Sequence, residues 1–157
     1  MSPTGRTLNL LRSWGHLADV VERWIPKLSV AGGPVDLRFV AIAGRLRHRI
    51  ARVGHGPITN LHLDARRFDA DQLLEQATPA RRLSVLATAT AVAKTFPRSW
   101  YLGIDLLLTH EFRHCLVCEV NAWGDLLPAL THEGEDTFTA EIRSILAAPY
   151  RAWPCIA

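Results

Sequence analysis

Three places in the chain carry residue types at spacings that could do chemistry. His110-Glu111-Phe112-Arg113-His114 is a literal H-E-x-x-H. On a helix that pattern puts two imidazoles on one face around zinc, with the Glu as general base. Asp105, Glu119 and Asn121 are oxygen donors at the ends of two short apolar runs, a donor type that suits Mg²⁺. Cys115-Leu-Val-Cys118 has the C-x-x-C spacing of redox and metal motifs. Which chemistry is available depends on whether these residues stand on helix or strand.

The flanks of the H-E-x-x-H favour strand. "GIDLLL" and "CLVCEV" are short apolar runs compatible with buried strands, and the polar "THEFRH" between them fits a hairpin connection. Arg113 would also place a permanent cation between the two zinc ligands, and a third ligand would have to come from Glu133 or Glu135. A turn centred near Phe112 pairs Asp105 with Glu119, Leu107 with Val117 and Thr109 with Cys115. Side chains alternate along a strand, so Asp105, Leu107, Thr109, Cys115, Val117, Glu119 and Asn121 are expected on one face. Ile104, Leu106, Leu108, Leu116, Cys118 and Val120 are expected on the other. Opposed like charges in a sheet are destabilising, so Asp105 and Glu119 call for a metal cation, a proton or arginine partners. Residues three apart on a strand face opposite ways, so the two cysteines are expected as small buried hydrophobes.

Composition sets the outer bounds. The 157 residues suffice for one domain with a real core; 48% are hydrophobic and 21% charged. No apolar run reaches the roughly 18 residues of a membrane span, and "MSPTGRTLNLLRSWGH" lacks the apolar core of a signal peptide. Three cysteines do not suggest a disulfide framework, so the cytoplasm is the expected location. The pI near 9.1 reflects a formal net charge of only +3. Arginines fall in groups at Arg45, Arg47, Arg49 and Arg52, at Arg66 and Arg67, and at Arg81 and Arg82. A dispersed excess of this kind suits small anionic ligands as well as nucleic acid.

The remaining pattern is mixed. Arg6 to His16 reads as a short helix, "DVVERWIPK" as an extended segment closed by Pro26, and "AGGP" as a turn. "VDLRFVAIAG" and "LRHRIARVG" read as a hairpin about Gly44, followed by a loop through "GHGPITNLHLDARRF". Pro79 opens a helix that ends before Pro97, and "TFTAEIRSILAA" is a last helix capped by Asp136. Hairpins in place of regular βαβ units predict an α+β fold, a mainly antiparallel sheet flanked by helices.

In this order the segments resemble the ATP-grasp superfamily. "GIDLLL…CEVNAWGDLLP" is similar to its metal-binding end, an apolar strand with Asp followed by E-[VI]-N. "VVERWIPK" resembles the hinge strand that holds adenine. "VDLRFVAIAGRLRHRIARV" resembles the D-x-R strand and a partner ending in a phosphate-contacting Arg, and "GPITNLHLDARRF" resembles the loop with Asn-Leu-His. The arrangement is most similar to the glutathione-synthetase and ribosomal-protein glutamate-ligase branch. It spans residues 17 to 147.

The resemblance implies Mg²⁺ (or Mn²⁺) held by Asp105, Glu119 and Asn121, with Arg38 and Arg52 toward the transferred phosphate. It implies Asn60 near the phosphates, Glu22, Trp24 and Ile25 lining an adenine pocket, and Leu107 as its apolar floor. The implied activity is ATP-dependent activation of a carboxylate to an acyl phosphate, then attack by an amine or thiol. Such enzymes also use an N-terminal substrate domain and a lysine-bearing lid. Here Lys27 and Lys94 are the only lysines, and neither stands in a lid context. The expectation is therefore a single partial domain: residues 1–27 the end of the lid and the hinge strand, 28–147 the C-terminal subdomain, 148–157 a tail. A ligase portion, a non-catalytic nucleotide-binding or interaction module, and a zinc hydrolase using His110, Glu111 and His114 are the competing functions. Expected partners are ATP, a small carboxylate, and a partner subunit or second copy, with no nucleic acid and no membrane.

Overall fold

The structure, a computed structural model, describes residues 23–56, 59, 65–122 and 127–148. The helix expected over Arg6 to His16, and the candidate site residues Glu22 and Asn60, lie outside the described residues. The elements are β1 (Ser29–Val30), β2 (Gly33–Ile42), β3 (Arg45–Val53), β4 (Arg66–Phe68), α1 (Ala70–Glu75), α2 (Pro79–Thr95), β5 (Tyr101–Leu108), β6 (Cys115–Asn121), β7 (Thr131–His132), β8 (Glu135–Asp136) and α3 (Thr137–Ala147). β4-β3-β2-β5-β6 form an antiparallel sheet in that order, β1 pairs with β2 at its start, and β7 pairs with β8 separately. The fold is α+β with a mainly antiparallel sheet flanked by helices, as the hairpin pattern predicts.

Local chemistry explains the turns. β1 and β2 are joined by Ala31 (φ 49°) and Gly32 (φ 85°), and β2 and β3 by Ala43 (φ 50°) and Gly44 (φ 74°). Positive φ at both central residues is what a two-residue hairpin turn of type I′ requires, and glycine supplies it without strain. Gly33 answers a different need: a Cβ there would lie 2.0 Å from the Gly54 carbonyl oxygen.

The expected helices form with their caps. Thr78 accepts a hydrogen bond from the Arg81 amide with Pro79 at the first turn, and Asp136 accepts one from the Thr139 amide at 2.7 Å. α1 is an element that the sequence reading missed; Asp69 caps it by accepting from the Asp71 and Gln72 amides. The extended segment expected at "DVVERWIPK" forms no strand over residues 23–28. Its end is nonetheless tied to the sheet, because the Leu28 amide donates to the Leu108 carbonyl at 2.6 Å.

The two faces of the sheet are built differently. One carries Leu37, Phe39, Ala51, Leu102, Ile104 and Leu106, packed against α1 and α2 in the larger core. Val85, Ala89 and Ala93 recur at helical spacing on α2, and the alanines let that helix lie close to the strands. On the other face, the end near the β2–β3 turn carries Val40, Ile42, Ile50 and Tyr101, covered by Leu127 and by Ala140 of α3. Each fully buried aliphatic side chain contributes about 1.5–3 kcal/mol. The far end of that same face carries charge. Among the described residues no helix is long and apolar enough to cross a membrane.

Candidate functional site

Period-two alternation on β2 puts Asp36 and Arg38 on one face, beside Val40. The register then supplies each with a partner across the strands: Asp36 lies opposite Arg52 of β3, and Arg38 lies opposite Asp105 of β5. Both pairs are bidentate. Arg38 donates Nε to Asp105 Oδ1 at 2.7 Å and an Nη to Oδ2 at 2.8 Å. Arg52 donates to the two oxygens of Asp36 at 2.7 and 3.0 Å. Arg52 also bridges the pairs, with an Nη 3.1 Å from Asp105 Oδ2.

Two further side chains extend this network beyond the residues read from sequence. The Thr59 hydroxyl donates to Asp36 Oδ2, and Lys27 Nζ donates to Thr59 Oγ1 at 2.6 Å while lying 3.7 Å from Asp36 Oδ2. Asp36, Arg38, Arg52, Thr59 and Asp105 are all buried. The D-x-R spacing was the available signal for Asp36. Thr59 had no signal, because it comes from a loop whose path the sequence does not set.

Burying an unpaired ion costs several kcal/mol, so such groups survive only when paired and hydrogen-bonded. The pairing satisfies this for both carboxylates. Three cations meet two carboxylates among these side chains, leaving one positive charge in excess. Burial by itself would lower the pKa of Arg52. The hydrogen bond and charge of Asp36, with the charge of Asp105, outweigh burial and the opposing charge of Arg38, and raise it. The guanidinium is thus a fixed cation.

β6 completes the site. Glu119 lies directly opposite Asp105, and Asn121 opposite Gly103, so all three oxygen-bearing residues stand on one face at one end of the hairpin. The expected register holds there and fails beyond it. A bulge shifts the pairing between Asp105 and Leu106, so Leu107 lies opposite Leu116 and Leu108 opposite Cys115. Cys118 is the residue left over. The expected pairs Leu107–Val117 and Thr109–Cys115 are therefore replaced, and Cys115 and Val117 leave the Asp105 face. Cys115 packs against the larger core, and burial raises its thiol pKa despite an opposing hydrogen bond from Thr88. Cys118 is exposed, which corrects the expectation of two buried cysteines.

As a test of fit for a hard cation, Glu119 is exposed and makes no ion pair among the described residues. An ionised carboxylate offers about four lone-pair sites, so Asp105 can accept its guanidinium contacts and retain one on Oδ1. With the amide oxygen of Asn121, the donor set suits a cation of the Mg²⁺ class.

The other candidate residues are placed less tightly. Leu107 is half-buried on the Asp105 face, opposite Asp36. Ile25 is half-buried, whereas Trp24 is 61% exposed. The H-E-x-x-H segment is a hairpin connection. His110–Phe112 form a single 3₁₀ turn with Glu111 at φ 54° and Phe112 at φ 55°, and the Thr109 amide donates to the His114 carbonyl at 3.1 Å. The helix that would bring His110 and His114 onto one face is not formed. Neither a protein-family model nor a curated protein matches the chain.

Proposed function

We propose that this chain is the ATP- and Mg²⁺-binding portion of an ATP-dependent carboxylate–amine or carboxylate–thiol ligase that acts through an acyl phosphate. The observation that carries this reading is one face of one sheet end: Arg38, Arg52 and Lys27 held as fixed cations beside Asp105, Glu119 and Asn121. Phosphoryl transfer needs positioned cations and charge stabilisation more than covalent help from the protein. Arg38 and Arg52 are planar donors held in fixed orientations, the form in which guanidinium recognises phosphate oxygens. Glu119 and Asn121, with the remaining lone pair of Asp105, are the groups that would hold the metal. A bound Mg²⁺ would neutralise charge on the nucleotide phosphates. Leu107 offers an apolar surface next to the charged cluster, in keeping with the floor of a base pocket.

One observation favours a second reading, a nucleotide-binding or interaction module without catalysis. Both arginines already have carboxylate partners, which a purely structural network also requires. Formation of ADP in the presence of a carboxylate and an amine or thiol separates the two, and calorimetric titration with ATP tests the binding site first. The ligase reading expects binding that requires Mg²⁺ and that falls at least about tenfold, or about 1.4 kcal/mol, in Glu119→Ala. Glu119 is exposed, so that variant keeps its fold. Binding indifferent to both Mg²⁺ and Glu119 favours the second reading.

A further inference from the structure

A second, separate concentration of charge lies at the opposite end of the molecule. A cavity of about 740 Å³ opens beneath the β2–β3 turn, between the C-terminal ends of α2 and α3. Its lining includes Arg45, Arg47, Lys94 and Arg98, and among the described residues no acidic one. None of these four makes an ion pair among the described residues. Trp100 supplies an apolar wall and Ser144 a hydroxyl.

Two features separate this pocket from an ordinary solvated surface. First, the cations come from different elements. Lys94 lies in the last turn of α2 and Arg98 in the turn just beyond it, where the helix dipole favours cations; Arg45 and Arg47 lie on β3 and have no such reason. Second, the pairing of β2 with β3 slips between Val40 and Ala41, so that His48 and Leu46 are paired and Arg47 is passed over. Such a bulge turns a side chain out of the strand's alternation, and the side chain turned out here lines the cavity. The two helix ends bring about half a negative charge each, well short of the four positive charges opposed to them.

We infer that this cavity is a binding site for a small, multiply charged phosphate ester or polyphosphate. Its volume falls within the range of about 300–1,000 Å³ typical of small-molecule sites. The concave shape, with an aromatic wall, suits a compact anion with an apolar part. The site is independent of the proposed ligase site. Ile42 lies six residue steps along β2 from Asp36, about 20 Å of strand, so one small ligand does not span both.

The probe is inorganic tripolyphosphate, titrated calorimetrically into the full chain without divalent metal. Binding that weakens with added salt is expected. The double variant Arg45→Gln/Arg98→Gln removes two charge-assisted contacts and should weaken it at least about tenfold. Lys94→Gln alone should give a smaller loss. Arg82→Gln/Arg113→Gln, on exposed arginines outside the cavity, should bind as the wild type does. Thermal midpoints within error of wild type certify that each variant is folded. Three results overturn the inference: no binding by the wild type, an unaffected Arg45→Gln/Arg98→Gln, or an equal loss in the control pair. Tighter binding of a single-stranded RNA that depends on the same arginines would also overturn it, by making the patch a nucleic-acid surface. Binding of tripolyphosphate here leaves the Mg²⁺-dependent role of Glu119 untouched, so the two readings fail separately.

Discussion

The two ends of one sheet face are buried to a similar extent by opposite means. Near the β2–β3 turn, Val40, Ile42, Ile50 and Tyr101 are covered by α3 and Leu127. A few residues further along the same strands, Asp36, Arg38, Arg52 and Asp105 are no more exposed than about a tenth. The apolar end is stabilised by burial as such. The charged end is tolerated only because each ion meets an opposite one at hydrogen-bonding distance. A protein seeking stability alone gains little from such a network, since well-packed apolar residues of similar volume do as well or better. Placing two fixed guanidiniums, a lysine and a carboxylate beside Glu119 and Asn121 makes sense where the face must meet a charged ligand.

The contrast can be broken by truncation. Asp105→Ala leaves Arg38 without its bidentate partner and Arg52 without its bridge. A loss of about 3–5 kcal/mol in urea-unfolding stability is expected. Ile42→Ala at the apolar end should cost about 2–5 kcal/mol by removing buried methyl groups and opening a cavity. The two differ in rescue. Nucleotide supplied without Mg²⁺, since Asp105 is itself one of the proposed metal ligands, should restore part of the loss at Asp105 if the freed guanidiniums meet phosphate, and should act on Ile42→Ala as it does on the wild type. Equal rescue of both variants would erase the distinction.

A smaller effect separates the ends by acid. Asp136 caps α3, the helix that covers the apolar end, and its carboxyl is held below the ordinary range by hydrogen bonds from the Thr139 amide and hydroxyl. A carboxylate with a depressed folded pKa contributes stability above its unfolded pKa and loses that contribution as pH falls through the folded value. Asp136→Ala should therefore lower the thermal midpoint at neutral pH, with the difference from wild type shrinking below about pH 4. A difference that grows as the pH is lowered contradicts the capping role.

Much of this arrangement is legible in the sequence, for physical reasons. Short apolar runs around a polar turn fix the β5–β6 hairpin, and the chemistry at Glu111 resolves in favour of a turn because no amphipathic helical period surrounds it. That Asp105, Glu119 and Asn121 share a face follows from alternation about a turn centred near Phe112, in a register that holds at that end only because a bulge offsets the one-residue shift at the turn. The bulge at Cys118 does not follow, because a one-residue slip leaves composition and hydrophobicity unchanged while reversing the faces beyond it. Arg38 and Arg52 are legible as functional candidates, but their carboxylate partners require the register of three strands at once. α1 is only six residues long, too short for periodicity to reveal, although Asp69 stands where a cap should. The paired strands β7 and β8, two residues each, leave no pattern at all.

The central claim is that the charged end of the sheet face is where nucleotide phosphate and metal meet the protein. It is tested most directly by NMR with substoichiometric Mn²⁺ and ATP, following paramagnetic broadening of assigned backbone amides. The account predicts that in the Arg45→Gln/Arg98→Gln background, which weakens the second anion site, broadening centres on Asp105, Glu119 and Asn121 with little effect at Gly44 and Lys94, and that Glu119→Ala sharply reduces it. Amides of β6 that stay sharp while resonances elsewhere broaden would contradict it.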